Sequence, residues 1–257
     1  MAYTPQPSTA DLAHRLGASA FCCAVVSSIA LSPCVREVVL RGDAEVLAGR
    51  PGNDVMVRVE SADGRFVRRR FSVRSVNADA NTFSLWVTTD HEGPASRWAR
   101  TAIADDHVDV IGPRGKTFLD TAADWHLFVG DLTGLAAFYR LAESITPPGR
   151  AIFVVEVDHP DDMLTTRFDA GIDANAIFIE RRERAMNDPT GLLNGLAAFA
   201  MPPDVGHAYV TGEFSVVRTL RASLADRGLG DDAVSHKSYW RLGRVNADHG
   251  EPDKNDT

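Results

Sequence analysis

The chain has 257 residues, 44% apolar and 24% charged, with 35 acidic against 27 basic side chains for a net charge of −8. That length buries a real core in one large domain or two of about 120 residues each. The acidic balance argues against general affinity for nucleic acid or anionic membranes, so an anionic ligand must meet a local basic pocket.

In chain order, the apolar run Ala18 to Leu31 is broken by serines and followed by Pro33, Arg36 and Glu37, too short to cross a bilayer and too late for a signal peptide. Its cysteines, Cys22 and Cys23, with Cys34 beyond, lack a C-x-x-C spacing and read as packing residues; a cytoplasmic protein without disulfides, metal ligands or an iron–sulfur cluster is expected. Strands are expected at 22–29, 36–41, 54–60, 65–76 and 82–89, separated by Pro, Gly, Asn and Asp turns, which suggests an antiparallel barrel or sandwich. A helix over 94–102 and a strand over 108–111 follow. From Trp125 the rhythm becomes strand–helix alternation: strands at 125–129, 151–157, 176–179 and 207–211, helices at 135–144, 192–199 and 215–227. This predicts a doubly wound parallel α/β sheet after the antiparallel barrel or sandwich. The domains are placed at 18–119 and 120–243, with a polar tail over 244–257.

Two separated pieces carry the strongest chemistry. Arg69-Arg70-Phe71-Ser72-Val73-Arg74 offers a guanidinium for a phosphate, an aromatic face for a flavin ring and a hydroxyl for the ring edge. Gly93-Pro94-Ala95-Ser96-Arg97-Trp98, beginning 21 residues after Ser72, lets backbone amides approach a pyrophosphate. In a parallel sheet the turns after the strands are the ligand positions. They read Gly130-Asp131-Leu132-Thr133-Gly134, then Glu180-Arg181-Arg182, where a basic pair would contact an adenosine phosphate or lie in a solvated loop, then Thr211-Gly212-Glu213. Asp131, Thr133 and Glu213 read locally as helix caps, or as nucleotide contacts if the context supplies a ligand. His159-Pro160-Asp161-Asp162 reads as a helix start. No nucleophile elbow, H-E-x-x-H motif or phosphate loop occurs, and the eight histidines show no metal spacing, so any catalysis falls to a cofactor.

Taken with Gly112-Pro113-Arg114-Gly115 and Tyr239-Trp240-Arg241-Leu242-Gly243, these motifs make the chain resemble, almost end to end, the FAD-binding siderophore-interacting proteins, or ferric-siderophore reductases. The resemblance implies a ferredoxin-reductase-like build in which an antiparallel Greek-key β-barrel holds FAD and a doubly wound parallel α/β sheet receives NAD(P)H. By that likeness Arg69, Phe71, Ser72, Val87, Thr89, Gly93, Pro94, Ala95 and Ser96 would hold FAD, and Gly130, Asp131, Thr133, Gly212 and Glu213 would border the nicotinamide nucleotide. Trp240 would close near the flavin, with Arg241 and Arg244 drawing in an anionic ferric siderophore. Phe71 replaces the usual tyrosine, Thr89 a frequent histidine, and Leu132 and Gly134 alter the usual Gly-Asp-Glu-Thr-Ala turn. The implied activity is NAD(P)H-dependent reduction of siderophore-held Fe(III) by a monomer. The alternatives are a flavoprotein reductase for a free ferric chelate, a quinone or flavin, and a non-enzymatic siderophore-binding module.

Overall fold

The β-branched segments of the first half alternate inward and outward, and a sheet built from them must hide one face; it does so by closing on itself. A computed structural model describes residues 8–243. Strands β1 (Ser19–Ala30), β2 (Val35–Arg41), β3 (Asp54–Glu60), β4 (Phe66–Asn77), β5 (Thr82–Thr88) and β6 (His107–Arg114) form a closed barrel in the order β1-β2-β5-β4-β3-β6, with antiparallel pairing throughout. Cys23 and Val25 point into the core with Val38, Leu40, Val57, Phe83, Leu85 and Val110. Cys22 is exposed and Cys23 buried, as strand alternation requires. Helix α1 (Thr9–Arg15) packs Leu12 and Ala13 against Met56 and Ile111 on the outside of the barrel, α2 (Glu45–Ala48) sets Leu47 into its core, and α3 (Pro94–Thr101) follows β5.

The pairing of β4 changes halfway along. Residues Phe66–Ser72 are registered with β3, whereas Val73–Asn77 are registered with β5, with a shift in register between Val73 and Ser75. The first half therefore has a barrel partner on one side only. None of its seven side chains is fully buried, although Phe66, Val67 and Phe71 are apolar.

The second half is a five-stranded parallel sheet, β11-β10-β7-β8-β9, built from β7 (Trp125–Asp131), β8 (Gly149–Val157), β9 (Ile172–Glu180), β10 (Gly206–Glu213) and β11 (Val234–Trp240). Helices α4 (Leu135–Ala142), α5 (Thr190–Ala197) and α6 (Phe214–Asp226) cover it. All seven residues of the central strand β7 are buried, which explains its unbroken apolar reading. Phe128 stacks on Phe153 and Tyr209 at 5.0 and 4.9 Å between ring centroids. Since β8 and β9 lie on one side of β7 and β10 and β11 on the other, the order reverses between β7 and β10, the position where doubly wound sheets open a ligand crevice. Among the described residues no helix is long and apolar enough to cross a membrane.

Three elements escape the sequence reading: α1, α2 and β11. The last, Val-Ser-His-Lys-Ser-Tyr-Trp, has only scattered apolar residues, as an edge strand paired with β10 alone permits. Strand β9 begins at Ile172 rather than 176 because its first half is exposed and polar.

The barrel and the sheet meet through polar and apolar contacts. Arg74 donates in bidentate fashion to Glu143 just past α4, at 2.9 and 2.7 Å, and its guanidinium lies 5.0 Å from the centroid of Trp86. Val35, from β2, joins the apolar cluster of Phe138, Tyr139 and Phe153.

Truncating Arg74 to Ala leaves Glu143 unpaired at this seam and is expected to cost about 2–3 kcal/mol; a denaturation cycle with Glu143→Gln should show strong non-additivity, and simple additivity would refute the coupling. A second expectation concerns acid. His126 is 2% exposed, between Phe128 and Tyr209, with no partner for Nδ1. Burial, then the neighbouring His207, lowers its pKa to about 4. His207 faces Asp120 at 3.1 Å and Ser235 at 2.9 Å, and its own pKa is lowered by burial, with Asp120 and Asp232 opposing. The unfolded chain takes up these protons near pH 6.5 and the folded chain resists, so stability is lost as pH falls from about 6.5 toward 4. His126→Phe should flatten that slope, worth about 3 kcal/mol at most; an unchanged slope in urea titrations at pH 7 and 4.5 would contradict the assignment.

Candidate functional site

The unpartnered half of β4 carries Arg69, Phe71 and Ser72. Alternation puts Arg69 and Phe71 on one face and Ser72 on the other, so only a ligand lying along the free edge can meet all three. Phe71 is partly buried against Trp98 of α3, at 5.9 Å and 39° between rings. Arg69 donates from Nη1 to the Arg68 carbonyl at 2.9 Å, and burial lowers its pKa. Ser72 turns toward the α/β part, its Oγ 3.0 Å from the hydroxyl of Tyr239.

Gly93 stands at the N-cap of α3 with no side chain to cap it, and Pro94 occupies the first turn, where a missing N–H costs nothing. Ser96 is fully buried, and its hydroxyl donates to the Thr88 carbonyl at 2.9 Å, tying the start of α3 to the end of β5. Ala95 packs on the barrel core. The amide of Thr89 donates to Cys34 O, and its carbonyl accepts from Arg100. Val87 is 2% exposed, its side chain pointing into the barrel core.

Gly130, Asp131, Thr133, Gly212 and Glu213, distant in sequence, converge at the crevice between β7 and β10. Strand pairing sets Gly130 opposite Thr211, and a Cβ at Gly130 would come within 2.0 Å of the Thr211 carbonyl. Gly212 has φ +132, and a Cβ there would meet Asp131 Oδ2 at 2.6 Å. Asp131, 7% exposed, accepts from the Thr133 amide and hydroxyl, from the Glu213 amide at 3.2 Å and from Trp240 Nε1 at 2.8 Å. Burial raises its pKa, against the pull of Thr133, Trp240 and Arg181. Glu213 caps α6 through the amides of Ser215 and Val216 and accepts from the Leu242 amide at 3.2 Å. Both carboxylates are thus engaged by their own chain: they shape the crevice and tie the C-terminal segment to it.

The turn after β9 departs from its sequence reading. Arg181 is 5% exposed and paired with Glu156 at 2.9 Å and Asp158 at 2.7 Å, so it is structural. Arg182 is exposed, with Glu180 at 3.3 Å, and borders an open cleft of about 620 Å³ with Arg184 and Asp188. Arg241 lies over the Phe214 ring at 4.6 Å; Arg244 falls outside the described residues. His159 begins a short 3-10 turn, as expected.

Sequence reasoning missed a second cluster. A cavity of about 10 Å³ between barrel and sheet is bordered by Asp54, Ser72, Thr211, Lys237 and Tyr239. Lys237 Nζ contacts Asp54 at 2.8 Å, and Arg70 Nε lies 3.3 Å from the same carboxylate. Burial lowers the Lys237 pKa, with Asp54 opposing. The signal was present in Lys237-Ser238-Tyr239, but without β11 nothing placed it beside Ser72.

Comparison with known proteins gives this geometry its family. A model described as siderophore-interacting FAD-binding domain matches residues 42–117, and one described as siderophore-interacting protein matches residues 123–243. Ferric vibriobactin reductase ViuB of Vibrio cholerae is 31% identical over 184 residues, covering 69% of this chain and 66% of that protein. The chain spans about two thirds of the length of such curated relatives. A siderophore utilization protein from T. fusca has the same fold, with a TM-score of 0.77 at 24% identity over 90% of this chain and 96% of that one. A ferredoxin-NADP+ reductase from Plasmodium falciparum shares the architecture at a TM-score of 0.68 and 15% identity over 86% and 96% of the two chains. With both halves matched in order on a ferredoxin-reductase-like barrel and sheet, the chain belongs to the siderophore-interacting protein family, its first half being the FAD-binding domain of that family.

Proposed function

We propose that the protein is an FAD-dependent reductase that takes a hydride from NAD(P)H and reduces siderophore-held Fe(III) to Fe(II). The observation that carries this reading is the half-strand Phe66–Ser72, paired on one side only and bearing Arg69, Phe71 and Ser72, together with the uncapped start of α3. These residues fit FAD. The free amides in the first turn of α3 suit a pyrophosphate, and Gly93 keeps a side chain out of the way. Arg69 supplies positive charge, Phe71 an apolar face and Ser72 a hydroxyl at the ring edge.

FAD bound there supplies the chemistry that no side chain of this site offers, accepting a hydride from a nicotinamide and passing electrons singly to ferric iron. The chain's own work is positioning. Gly130 and Gly212 keep the floor of the crevice low, and the buried Thr211 hydroxyl, which has no partner, faces the region where a nucleotide would bind. Arg182 is the candidate contact for the adenosine phosphates, in place of Arg181. Arg241 and Arg244 would draw an anionic ferric chelate to an acidic protein, and Fe(II), a poorer match for hard oxygen ligands than Fe(III), would then leave.

The visible spectrum of the purified protein tests this reading. Flavin bands should be present or appear on adding FAD, bleach with anaerobic NADH or NADPH, and return on adding a ferric siderophore as Fe(II) is trapped by a ferrous chelator. Arg69→Ala should weaken FAD binding about tenfold or more, the worth of a charge-assisted phosphate contact. A protein that takes up no FAD removes the cofactor assignment; one that binds FAD but passes no electrons to the siderophore removes the acceptor.

A further inference from the structure

Ser72 and Tyr239 are 167 residues apart in sequence and belong to different sheets, yet their oxygens are 3.0 Å apart and either can be the donor. Tyr239 is held from its own strand: Lys237 lies 5.5 Å from its ring centroid and is anchored on Asp54 at 2.8 Å. Burial, moderated by the bond to Ser72, pushes the phenol up to about 12, so it keeps its proton at neutral pH. A serine hydroxyl has one proton to donate and lone pairs to accept with, and a phenol likewise plays both roles.

On the flavin reading above, on which this inference rests, Ser72 faces the reactive ring nitrogen of FAD. An oxidised flavin presents a lone pair at that nitrogen; after uptake of two electrons and a proton it presents an N–H. A lone serine matches the first state by donating. In the second it must accept, and its own proton then needs a new acceptor. We propose that Tyr239 is a positioning residue that exchanges donor and acceptor roles with Ser72, so that Ser72 is satisfied against both oxidised and reduced flavin and the last strand of the α/β sheet helps set the flavin's reduction potential. With oxidised flavin the phenol donates to Ser72 and Ser72 donates to the ring. With reduced flavin the ring donates to Ser72, Ser72 donates to the phenol, and the phenol turns its own proton into the cavity it shares with the carboxylate of Asp54.

The two states depend on Tyr239 unequally. Without the phenol, oxidised flavin leaves only a serine lone pair under-used, whereas reduced flavin leaves a buried O–H donor with no acceptor, the costlier defect. Tyr239→Phe should therefore disfavour reduced flavin and lower the midpoint potential.

The test is spectroelectrochemical titration of FAD-loaded wild type, Tyr239→Phe, Ser72→Ala and the double variant, with FAD affinity measured separately by fluorescence. Tyr239→Phe is expected to bind FAD within about threefold of wild type, while its reduced-to-oxidised ratio at a fixed potential falls three- to tenfold, about 15 to 30 mV for a two-electron couple. Tyr239→His, which retains a donor and acceptor, should recover most of the shift, and Tyr239→Phe should add nothing in the Ser72→Ala background. Should the phenylalanine variant not fold, Tyr239→Met makes the same deletion with an adaptable side chain. A potential unchanged by the Phe or Met variant, or a shift that persists without the Ser72 hydroxyl, would overturn the proposal while leaving the flavin assignment intact. A wild type that binds no FAD would overturn both.

Discussion

The arrangement turns on one buried carboxylate. Asp131 sits at the end of β7 and gathers hydrogen bonds from its own turn through Thr133, from β10 through the Glu213 amide and from the end of β11 through Trp240. A carboxylate in such a place is tolerated only because its oxygens are saturated, and the same saturation makes it a fastener: losing it would strand several donors at once. The ends of β7 and β10 can close on this fastener only because residues 130 and 212 are glycines, where a Cβ would meet the Thr211 carbonyl at 2.0 Å and Asp131 Oδ2 at 2.6 Å. Glu213 repeats the device one element later, capping α6 with one oxygen and holding the Leu242 amide with the other.

From there the constraint passes to the barrel. With β11 fixed by Trp240, Tyr239 is delivered to Ser72 and Lys237 to Asp54, and Arg74 grips Glu143 farther along the seam. Apolar packing alone would allow the two halves to slide; directional polar contacts from β3 and β4 to β11 and the end of α4 select one registration. The half-paired strand of the barrel and the strand ends of the parallel sheet are therefore parts of one assembly.

Much of this was legible in the sequence. The barrel strands and the strand–helix alternation follow from β-branched runs and turn residues, and Asp54–Glu60 is delimited as expected. The crevice was foreseeable because glycine followed by a polar residue ends two parallel strands. Other features needed the third dimension. The turning of the Ser96 hydroxyl to Thr88 depends on how α3 folds back on β5, and the burial of Arg181 between two carboxylates depends on partners on a neighbouring strand and the loop after it. Strand β11 carried no periodic apolar signal, so Lys237 and Tyr239 could be quoted as residues and yet given no position. The caps show the opposite outcome: Asp131 and Glu213 proved to be helix caps, as their local sequence suggests.

The half-paired strand β4 also bears on how the protein survives before it meets a cofactor. An exposed strand edge with free backbone groups invites another chain to add itself, and this one includes Phe66, Val67 and Phe71. Arg68 and Arg69 stand on that stretch beside Arg70, whose charge Asp54 offsets at 3.3 Å, and bringing two copies together there would crowd like charges. A stretch that would otherwise be a template for aggregation is thus kept single by charge.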